Sequence, residues 1–231
     1  MERSEKVQAK LSASKLEASS LCPAYFQANQ RFTWQGDRDS ANEGTIRHEI
    51  EENQLPLDEI DDDERRKCAY RSRLAIQECR EKVFGSDDGV ITREARYWYE
   101  DLWSGQLDYM EALGVNVFIA DYKTLHGSHT PAPNNIQLLA QAVLVIKNHP
   151  EVENVFAALI EPFNDPTYTT VKYTRKFLEE KAMWFEEVAK RAYSEDPDQV
   201  PGGKQCKWCS ALYVCSSARS HLLSCINKKS G

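Results

Sequence analysis

Two aspartates and a lysine form the most informative pattern in this sequence. Asp108 ends the segment GQLD in one predicted strand, and Asp121 and Lys123 end the segment IADYK in the next. Alternate side chains of a strand share a face, so Asp121 and Lys123 project together, roughly 7 Å apart, while Tyr122 points away. A hairpin pairing of the two strands would bring Asp108 near Asp121. The pattern therefore predicts two converging carboxylates beside an ammonium group.

Converging carboxylates repel each other unless a cation lies between them. Their oxygen atoms favour a hard ion such as Mg²⁺ or Mn²⁺, and such a site suits phosphodiester hydrolysis. Lys123 would orient the attacking water or stabilise the negative charge of the transition state. A surface salt bridge between Asp121 and Lys123 is the alternative interpretation of the same spacing.

Residues outside these strands extend the pattern. His48 follows Gly44-Thr45 on a predicted helix and could reach a metal from beside the sheet, which would favour Mn²⁺ somewhat over Mg²⁺. An ordinary surface or satisfied histidine is the alternative. Gln137 and Gln141 lie one turn apart on the helix after the lysine strand, either as site residues or as solvated amides.

Cysteines form a second pattern with metal-ligand spacing. Cys206, Cys209 and Cys215 follow C-x2-C-x5-C, and the two thiolates of a C-x2-C pair can chelate one metal centre. The other cysteines, which are the candidates for a fourth ligand, are Cys22, Cys68, Cys79 and Cys225. Cys68 and Cys79 lie on nearly one helical face with apolar residues and are predicted to be buried. Cys225 has no assigned role.

Helices, then strands, then helices are predicted to position these residues. Ser14 is expected to cap a first helix that carries Cys22, with Pro23 bending or restarting it. Further predicted helices cover residues 42–53, 61–84, 134–147 and 175–194. The predicted strands cover residues 90–99, 105–112, 115–123, 154–161 and 168–173. This order predicts an α/β fold with a mixed central sheet flanked by helices.

Composition limits the possible classes of protein. The chain has 231 residues, of which 41% are hydrophobic and 10% aromatic, which argues against general disorder. Its net charge of −7 excludes a uniformly basic nucleic-acid-binding protein. The acidity is local, because residues 36–64 hold twelve acids and two bases, whereas residues 65–83 hold seven bases and two acids. Residues 65–83 and 200–231 could therefore face phosphate.

Three features of the sequence predict the cellular location. No apolar segment follows Met1-Glu2-Arg3, the longest apolar stretch is shorter than a membrane span, and an odd number of cysteines fits poorly with a paired disulfide framework. We therefore expect a cytoplasmic protein without a membrane partner.

Basic and aromatic residues are candidates for DNA contacts. Arg66, Arg73 and Arg80 recur every seven residues and predict a stripe that tracks phosphates; a solvated face is the alternative. Trp98 could stack on an unpaired base or belong to the core. Trp208, between two cysteines of the C-x2-C pair, is expected to shield the metal centre rather than to stack on DNA.

The motifs, in order, resemble the RecB-like branch of the PD-(D/E)XK nuclease superfamily. The resemblance spans about residues 12–215 and rests on Gly44-Thr45 with His48, on Glu94, on Gly105 to Asp108, on Asp121-Tyr122-Lys123 and on Gln137-Leu138. It implies a restriction-endonuclease-like core.

The same resemblance implies roles for single residues. Those implied to bind the metal are His48, Asp108, Asp121 and the Tyr122 carbonyl. Lys123 would be the catalytic lysine, Glu94 an acid that supports the metal, and Gln137 a residue that orders the site or the substrate. The chain departs from the family at Gln141, where relatives often have tyrosine, and at Asp121, where they often have glutamate.

Cys22-Pro23 and the preceding Ser12-Ala13-Ser14 resemble the iron-sulfur subset of these nucleases, which includes the AddB nuclease domain and CRISPR-associated exonucleases. The resemblance implies that Cys22 joins Cys206, Cys209 and Cys215 around a 4Fe-4S cluster. A four-thiolate Zn²⁺ site is the alternative, because thiolate ligation alone does not separate the two metals.

Together these expectations describe one nuclease domain over residues 1–231. It would comprise an N-terminal helical part (1–85), a nuclease core (86–195) and a cysteine-rich tail (196–231) that closes the iron-sulfur site. The expected activity is metal-dependent DNA exonuclease action on ends or single strands in recombination, repair or phage DNA metabolism. Expected partners are DNA and a helicase, an annealing protein or further copies of the chain. The alternative is a catalytically silent DNA-binding or assembly subunit with a structural iron-sulfur or zinc site.

Overall fold

A six-stranded mixed β-sheet lies at the centre of the computed structural model, which describes residues 11–33, 39–127 and 129–229. The strands are β1 (Leu11–Ser12), β2 (Val90–Tyr99), β3 (Trp103–Leu113), β4 (Asn116–Tyr122), β5 (Asn154–Ile160) and β6 (Tyr168–Thr174). β3 pairs antiparallel with β2 and β4, β4 pairs in parallel with β5, and β6 is antiparallel to β5. This mixed sheet confirms the predicted fold class.

Helices cover the sheet on both sides. The α-helices of the described ranges are α1 (Ala13–Leu21), α2 (Ala24–Arg31), α3 (Asp39–Glu52), α4 (Asp63–Phe84), α5 (Ile136–Asn148), α6 (Arg175–Ala192), α7 (Gly203–Lys207) and α8 (Ser216–Lys229). The larger core joins the sheet to α1, α5 and α6, and a smaller core joins it to α4. None of the helices in these ranges combines the length and the hydropathy that a membrane-spanning segment needs.

α5 connects two parallel strands, which requires a crossover. Every residue from 138 to 146 is buried, so this apolar segment is a core helix. Asn135 caps α5 by accepting a hydrogen bond from the Leu138 backbone N–H, as the predicted start at residue 134 or 135 requires. The helix is therefore fixed both at its start and along its length.

The start of α1 differs from the prediction. Ser14 was expected to cap it, but the helix begins at Ala13, and Ser12 occupies the cap position without a capping hydrogen bond. Leu11 and Ser12 instead pair with β3 as β1, which orients the start of the helix without a side-chain cap.

Gly105 lies where two helices approach β3 most closely. A Cβ atom at this position would lie 2.7 Å from Cδ1 of Leu144 and 3.1 Å from Cβ of Ala13. Only glycine leaves room for this contact, so Gly105 brings α1 and α5 onto the strand that carries Asp108.

Candidate active site

β3 and β4 bring Asp108 and Asp121 together. The ladder pairs Tyr109 with Ala120, so the two aspartates follow as the next opposed positions. The backbone N–H of Tyr122 donates to Oδ2 of Asp108 at 2.8 Å, and both aspartates are buried. The proximity predicted from hairpin pairing is therefore present.

His48, Glu94 and Asp108 form a compact group of candidate metal ligands. Nδ1 of His48 lies 3.7 Å from Oε1 of Glu94 and 3.7 Å from Oδ2 of Asp108. Among the residues that the structure describes, this is the only trio of histidine, cysteine or carboxylate groups whose ligand atoms all lie within 4.8 Å of one another. An imidazole and two carboxylates are donors that suit Mn²⁺ or Mg²⁺.

The electrostatics of this trio also fit a cation. Burial, together with repulsion from Asp121, raises the pKa of Asp108 to about 7. Burial lowers the pKa of His48, but the hydrogen bond and charge of Glu94 and the charge of Asp108 outweigh it and bring that pKa to about 8. A divalent cation would offset the crowded negative charge and would take the place of the proton on His48.

Glu94 has an unusual backbone conformation. Its φ of +50° lies in the left-handed region, which is rare for residues other than glycine. Arg93 and Ala95 on either side stay paired with β3, whereas Glu94 drops out of the ladder opposite Asp108. Backbone strain of this kind concentrates at functional sites.

Lys123 belongs to a closed polar network beside the trio. Its Nζ lies 2.5 Å from Oδ2 of Asp121 and 3.3 Å from Oε1 of Gln137. Gln137 in turn donates from Nε2 to Oδ1 of Asp121 at 2.5 Å. Burial lowers the pKa of Lys123, but the charge of Asp121 outweighs it and raises that pKa, so the ammonium stays protonated. The network thus presents a fixed positive charge to the cleft.

The structure groups the predicted ligands differently from the sequence. Glu94, expected as a supporting acid, belongs to the trio, whereas Asp121 pairs with Lys123. The ligand roles of Asp121 and of the Tyr122 carbonyl stay predictions.

Gln141, one turn after Gln137 on α5, is a buried part of this network. Its Nε2 donates to the backbone carbonyl of Gln106 at 2.9 Å and lies 3.5 Å from Oδ1 of Asp121. The side-chain amides of Gln137 and Gln141, one turn apart on α5, therefore both reach the carboxylate of Asp121.

Two groups around the site were not predicted from the sequence. Gln106 donates to Glu94 and accepts from Arg96, which holds the strained glutamate from the outside. The Nδ1 atom of His129, in the loop after Lys123, lies 3.0 Å from Oε1 of the buried Glu161. The alternation of Gln106 with Asp108 along β3 is a sequence signal for the role of Gln106. The pairing of His129 with Glu161 depends on tertiary contacts alone.

The His48, Glu94 and Asp108 trio and Lys123 open onto one cleft of about 580 Å³, which we call the acidic cleft. The carboxylates that line it are Glu49, Glu52, Glu94 and Asp108. His48, Lys123 and His129 also line it, so the trio and the lysine face the same space.

The arginine stripe predicted on α4 is engaged within the protein. Arg66, Arg73 and Arg80 are half-buried rather than solvated. Their carboxylate partners are Asp63 for Arg66, Glu51 for Arg73, and Asp88 and Glu111 for Arg80. Buried acids of α3 and β3 thus engage Arg73 and Arg80, whereas Arg66 pairs with an exposed acid of its own helix. Contact of the stripe with phosphates stays a prediction. Trp98 is half-buried on β2, and its DNA contact stays a prediction.

All four cysteines predicted to bind one metal centre line a single cavity of about 320 Å³, the cysteine cavity. These cysteines are Cys22, Cys206, Cys209 and Cys215. Burial, and repulsion from the other three sulfurs, raise the pKa of Cys209. The sulfurs do not form a tight ligand group, because no three of them lie within 4.8 Å of one another in the described ranges.

Backbone N–H groups point at three of these sulfurs. Sγ of Cys22 accepts from Val200 N at 3.4 Å, Sγ of Cys206 accepts from Gly202 N at 3.4 Å, and Sγ of Cys215 lies 3.5 Å from Ala218 N. Such donors stabilise thiolates, which is the form that binds metal.

The other cysteines lie elsewhere. Cys68 and Cys79 are buried, as predicted, and burial raises the pKa of their thiols to about 11 and about 12. Cys225 is exposed on α8, with Sγ 3.8 Å from Nε2 of His221. Trp208 was expected to shield the metal centre, but the residue is 58% exposed, and Nζ of Lys207 lies over its ring.

Neither a protein-family model nor a curated protein matches this chain. Among solved structures, it is similar to a protein from Eubacterium rectale whose assignment as an exonuclease is provisional, with a TM-score of 0.50 and 14% identity over 95% of this chain and 93% of that one. It is also similar to SSO0001, with a TM-score of 0.41 and 11% identity over 92% of this chain and 89% of that one. The first likeness extends to the α/β fold with its mixed sheet and flanking helices.

Proposed function

We propose that this protein is a metal-dependent deoxyribonuclease with the restriction-endonuclease-like core of the RecB-like branch, acting as an exonuclease on DNA ends or single strands. The observation that carries the proposal is the meeting of the His48, Glu94 and Asp108 trio with Lys123 in the acidic cleft. The likeness in fold to a protein provisionally assigned as an exonuclease supports it.

Each residue has a distinct part in the proposed reaction. His48, Glu94 and Asp108 would hold a divalent cation, with Asp121 and the Tyr122 carbonyl as further ligands. When bound, such an ion polarises a phosphoryl oxygen and lowers the pKa of water. Lys123, held protonated by Asp121, would stabilise the negative charge that develops on the phosphate. Gln137 would keep Lys123 and Asp121 in register.

Activity on end-labelled DNA tests the proposal directly. The purified protein should degrade DNA with Mn²⁺ or Mg²⁺, and Lys123→Ala or Asp121→Ala should lower the rate by at least about 100-fold. Lys172→Ala, on the exposed side of β6, is a matched control and should retain full activity. Equal rates for the wild type and both site variants would overturn the assignment.

A catalytically silent DNA-binding or assembly subunit is the alternative function, favoured only by the departure at Gln141. Its signature would be DNA binding by the folded protein without cleavage under any metal condition. Partners for either function would include DNA and a helicase, an annealing protein or further copies of the chain, in the cytoplasm of a bacterium or of a phage-infected host.

The cysteine cavity is proposed to hold a 4Fe-4S cluster bound by Cys22, Cys206, Cys209 and Cys215. A four-thiolate zinc site would need sulfurs about 3.8 Å apart, because Zn–S bonds are about 2.3 Å long and tetrahedral. A cubic cluster binds each thiolate through a different iron and therefore spaces the sulfurs more widely than a single zinc ion does. The support for either centre is that all four cysteines line one cavity. A brown protein that contains iron supports the cluster; a colourless protein with one zinc ion would favour the alternative.

A further inference from the structure

A second groove continues from the acidic cleft toward the tail. It is lined by α1, by the loop after Lys123 and by α7, and Lys123 and His129 line both spaces. The two openings are therefore continuous at the catalytic lysine. We call the second one the basic groove.

The charge of the two spaces differs. Four carboxylates line the acidic cleft. The basic groove is lined by Lys123, Lys204 and Lys207 and by a single carboxylate, that of Glu17. Glu17 lies 3.5 Å from Nζ of Lys204 and offsets part of its charge. Among the clefts described, only the basic groove therefore offers net positive charge to an anionic chain that leaves the acidic cleft.

Aromatic surface lies at the far end of the groove. Trp208, a residue that is 58% exposed, lines it, and Nζ of Lys207 lies 4.9 Å from the centre of its ring. Asn135 and Thr130 add hydrogen-bonding groups near the catalytic end. Exposed aromatic rings next to lysines are the elements with which proteins bind unpaired nucleotides.

We propose that the basic groove binds a single strand of DNA, with Lys204 and Lys207 on its phosphates and Trp208 stacked on a base. The proposal rests on the nuclease function above and deepens it by naming the substrate class. Stacking on Trp208 requires an unpaired base, because the faces of paired bases are covered by their neighbours in a duplex. The strand runs from the acidic cleft over α1 to α7.

The groove shares a wall with the cysteine cavity. Tyr25 and Gln205 line both spaces, and Cys206 and Cys209 lie immediately beside the residues proposed to contact DNA. The cysteine centre therefore positions the strand-binding segment without touching the reacting phosphate.

Binding without turnover tests the groove apart from catalysis. The probe is a fluorescein-labelled oligothymidylate in EDTA, measured by anisotropy. Trp208→Ala should weaken binding about tenfold, whereas Trp208→Phe should restore most of it. The double variant Lys204→Ala/Lys207→Ala should weaken binding and should reduce the slope of log K against log salt by about 1.4, since each lysine contributes about 0.7 on single strands.

A gain-of-binding variant separates this role from loss of structure. Glu17→Gln should tighten binding about twofold, because it frees Lys204 from an exposed ion pair. The matched control is Lys181→Ala/Trp184→Ala on α6, a half-buried lysine and an exposed tryptophan outside the groove, which should bind DNA like the wild type.

Each outcome decides the proposal. Unchanged affinity in the Trp208 and lysine variants, or equal affinity of the wild type for a blunt duplex, overturns the groove proposal even if DNA is cleaved. A wild-type protein that binds the strand with these variant effects but never cleaves it supports the groove and contradicts the nuclease function. Visible absorbance and thermal unfolding check that each variant keeps its cysteine centre and its fold.

Discussion

Glu94 combines an unfavourable backbone with a position at the centre of the site. A residue other than glycine in the left-handed region costs about 1–3 kcal/mol. The flanking pairs of β2 with β3 hold the strand on both sides, so the strain is confined to one residue. Gln106 then fixes the carboxylate from the outside. The strained position therefore carries one of the candidate ligand carboxylates, at a cost in stability.

Two substitutions at Glu94 separate strain from chemistry. Glu94→Gln and Glu94→Gly both remove the carboxylate, so both should abolish metal-dependent cleavage. Only Glu94→Gly relieves the positive φ and should be about 1 kcal/mol more stable than Glu94→Gln. Chemical denaturation of the two variants measures the difference, and equal unfolding free energies would show that the backbone is unstrained.

Protonation of Glu43 should make the stability of the folded protein depend on pH in acidic solution. Hydrogen bonds from Arg65 and Arg47 lower the pKa of Glu43 to about 2. The unfolded chain binds the proton more readily, so the stabilisation is complete above about pH 4.5 and is lost as the pH falls toward 2. Glu43→Gln should therefore lower the unfolding temperature at pH 7, with a smaller deficit near pH 3.

The exposed carboxylate of Glu78 on α4 provides the comparison. Glu78→Gln should leave the unfolding temperature close to that of the wild type at both pH values. A deficit for Glu43→Gln that stays constant from pH 7 to pH 3 would contradict the proposed origin of the effect.

At the scale of elements, α5 serves the core and the site at once. Residues 138–146 are buried against the sheet, while Gln137 and Gln141 reach Asp121. Gly105 sets the depth at which α5 packs on β3. The position of these two amides is therefore determined by how closely a helix and a strand approach each other.

Gly105→Ala should disturb both properties. The added Cβ forces Leu144 or Ala13 to move, which should lower stability by about 1–3 kcal/mol. It should also lower cleavage at temperatures where the variant is folded, because α5 carries Gln137 and Gln141. Gly203→Ala, which meets no atom within 4 Å, is the control and should retain wild-type stability. Unchanged stability of Gly105→Ala would contradict the close contact.

At the scale of the whole molecule, the cysteine cavity joins distant parts of the chain. Cys22 lies between α1 and α2, and the other three cysteines lie beyond residue 200. Tyr25, Asn29 and Gln27 add hydrogen bonds from α2 to the later segment. A metal centre there would fix the tail against the N-terminal helices.

Loss of that centre should loosen the tail. Cys206→Ser, or removal of the metal with a chelator, should lower stability by on the order of 4 kcal/mol, as the loss of a structural metal does. Limited proteolysis should then cut beyond α6. Cys225→Ser, whose thiol is exposed outside the cavity, should resist proteolysis like the wild type; equal resistance of Cys206→Ser would show that the centre is not structural.

The sequence predicted the elements better than the details of the site. Enrichment in β-branched and aromatic residues placed β2 at residues 90–99, and hairpin pairing predicted the meeting of Asp108 with Asp121. Sequence could not predict that Arg80 pairs with Glu111, because residues 31 apart met only through tertiary packing. It also missed β1, whose two residues are too short for a periodic signal, and the positive φ of Glu94.

β1 and α1 also constrain the order of events during synthesis. The backbone N–H of Leu11 donates to the Tyr193 hydroxyl, a partner 182 residues later in the chain. On a ribosome that adds about 5–20 residues per second, this hydrogen bond can therefore form only roughly ten seconds or more after Leu11 has been made. β1 and α1 stay incompletely packed until that part of the chain has been made, so this segment is where a chaperone would be needed.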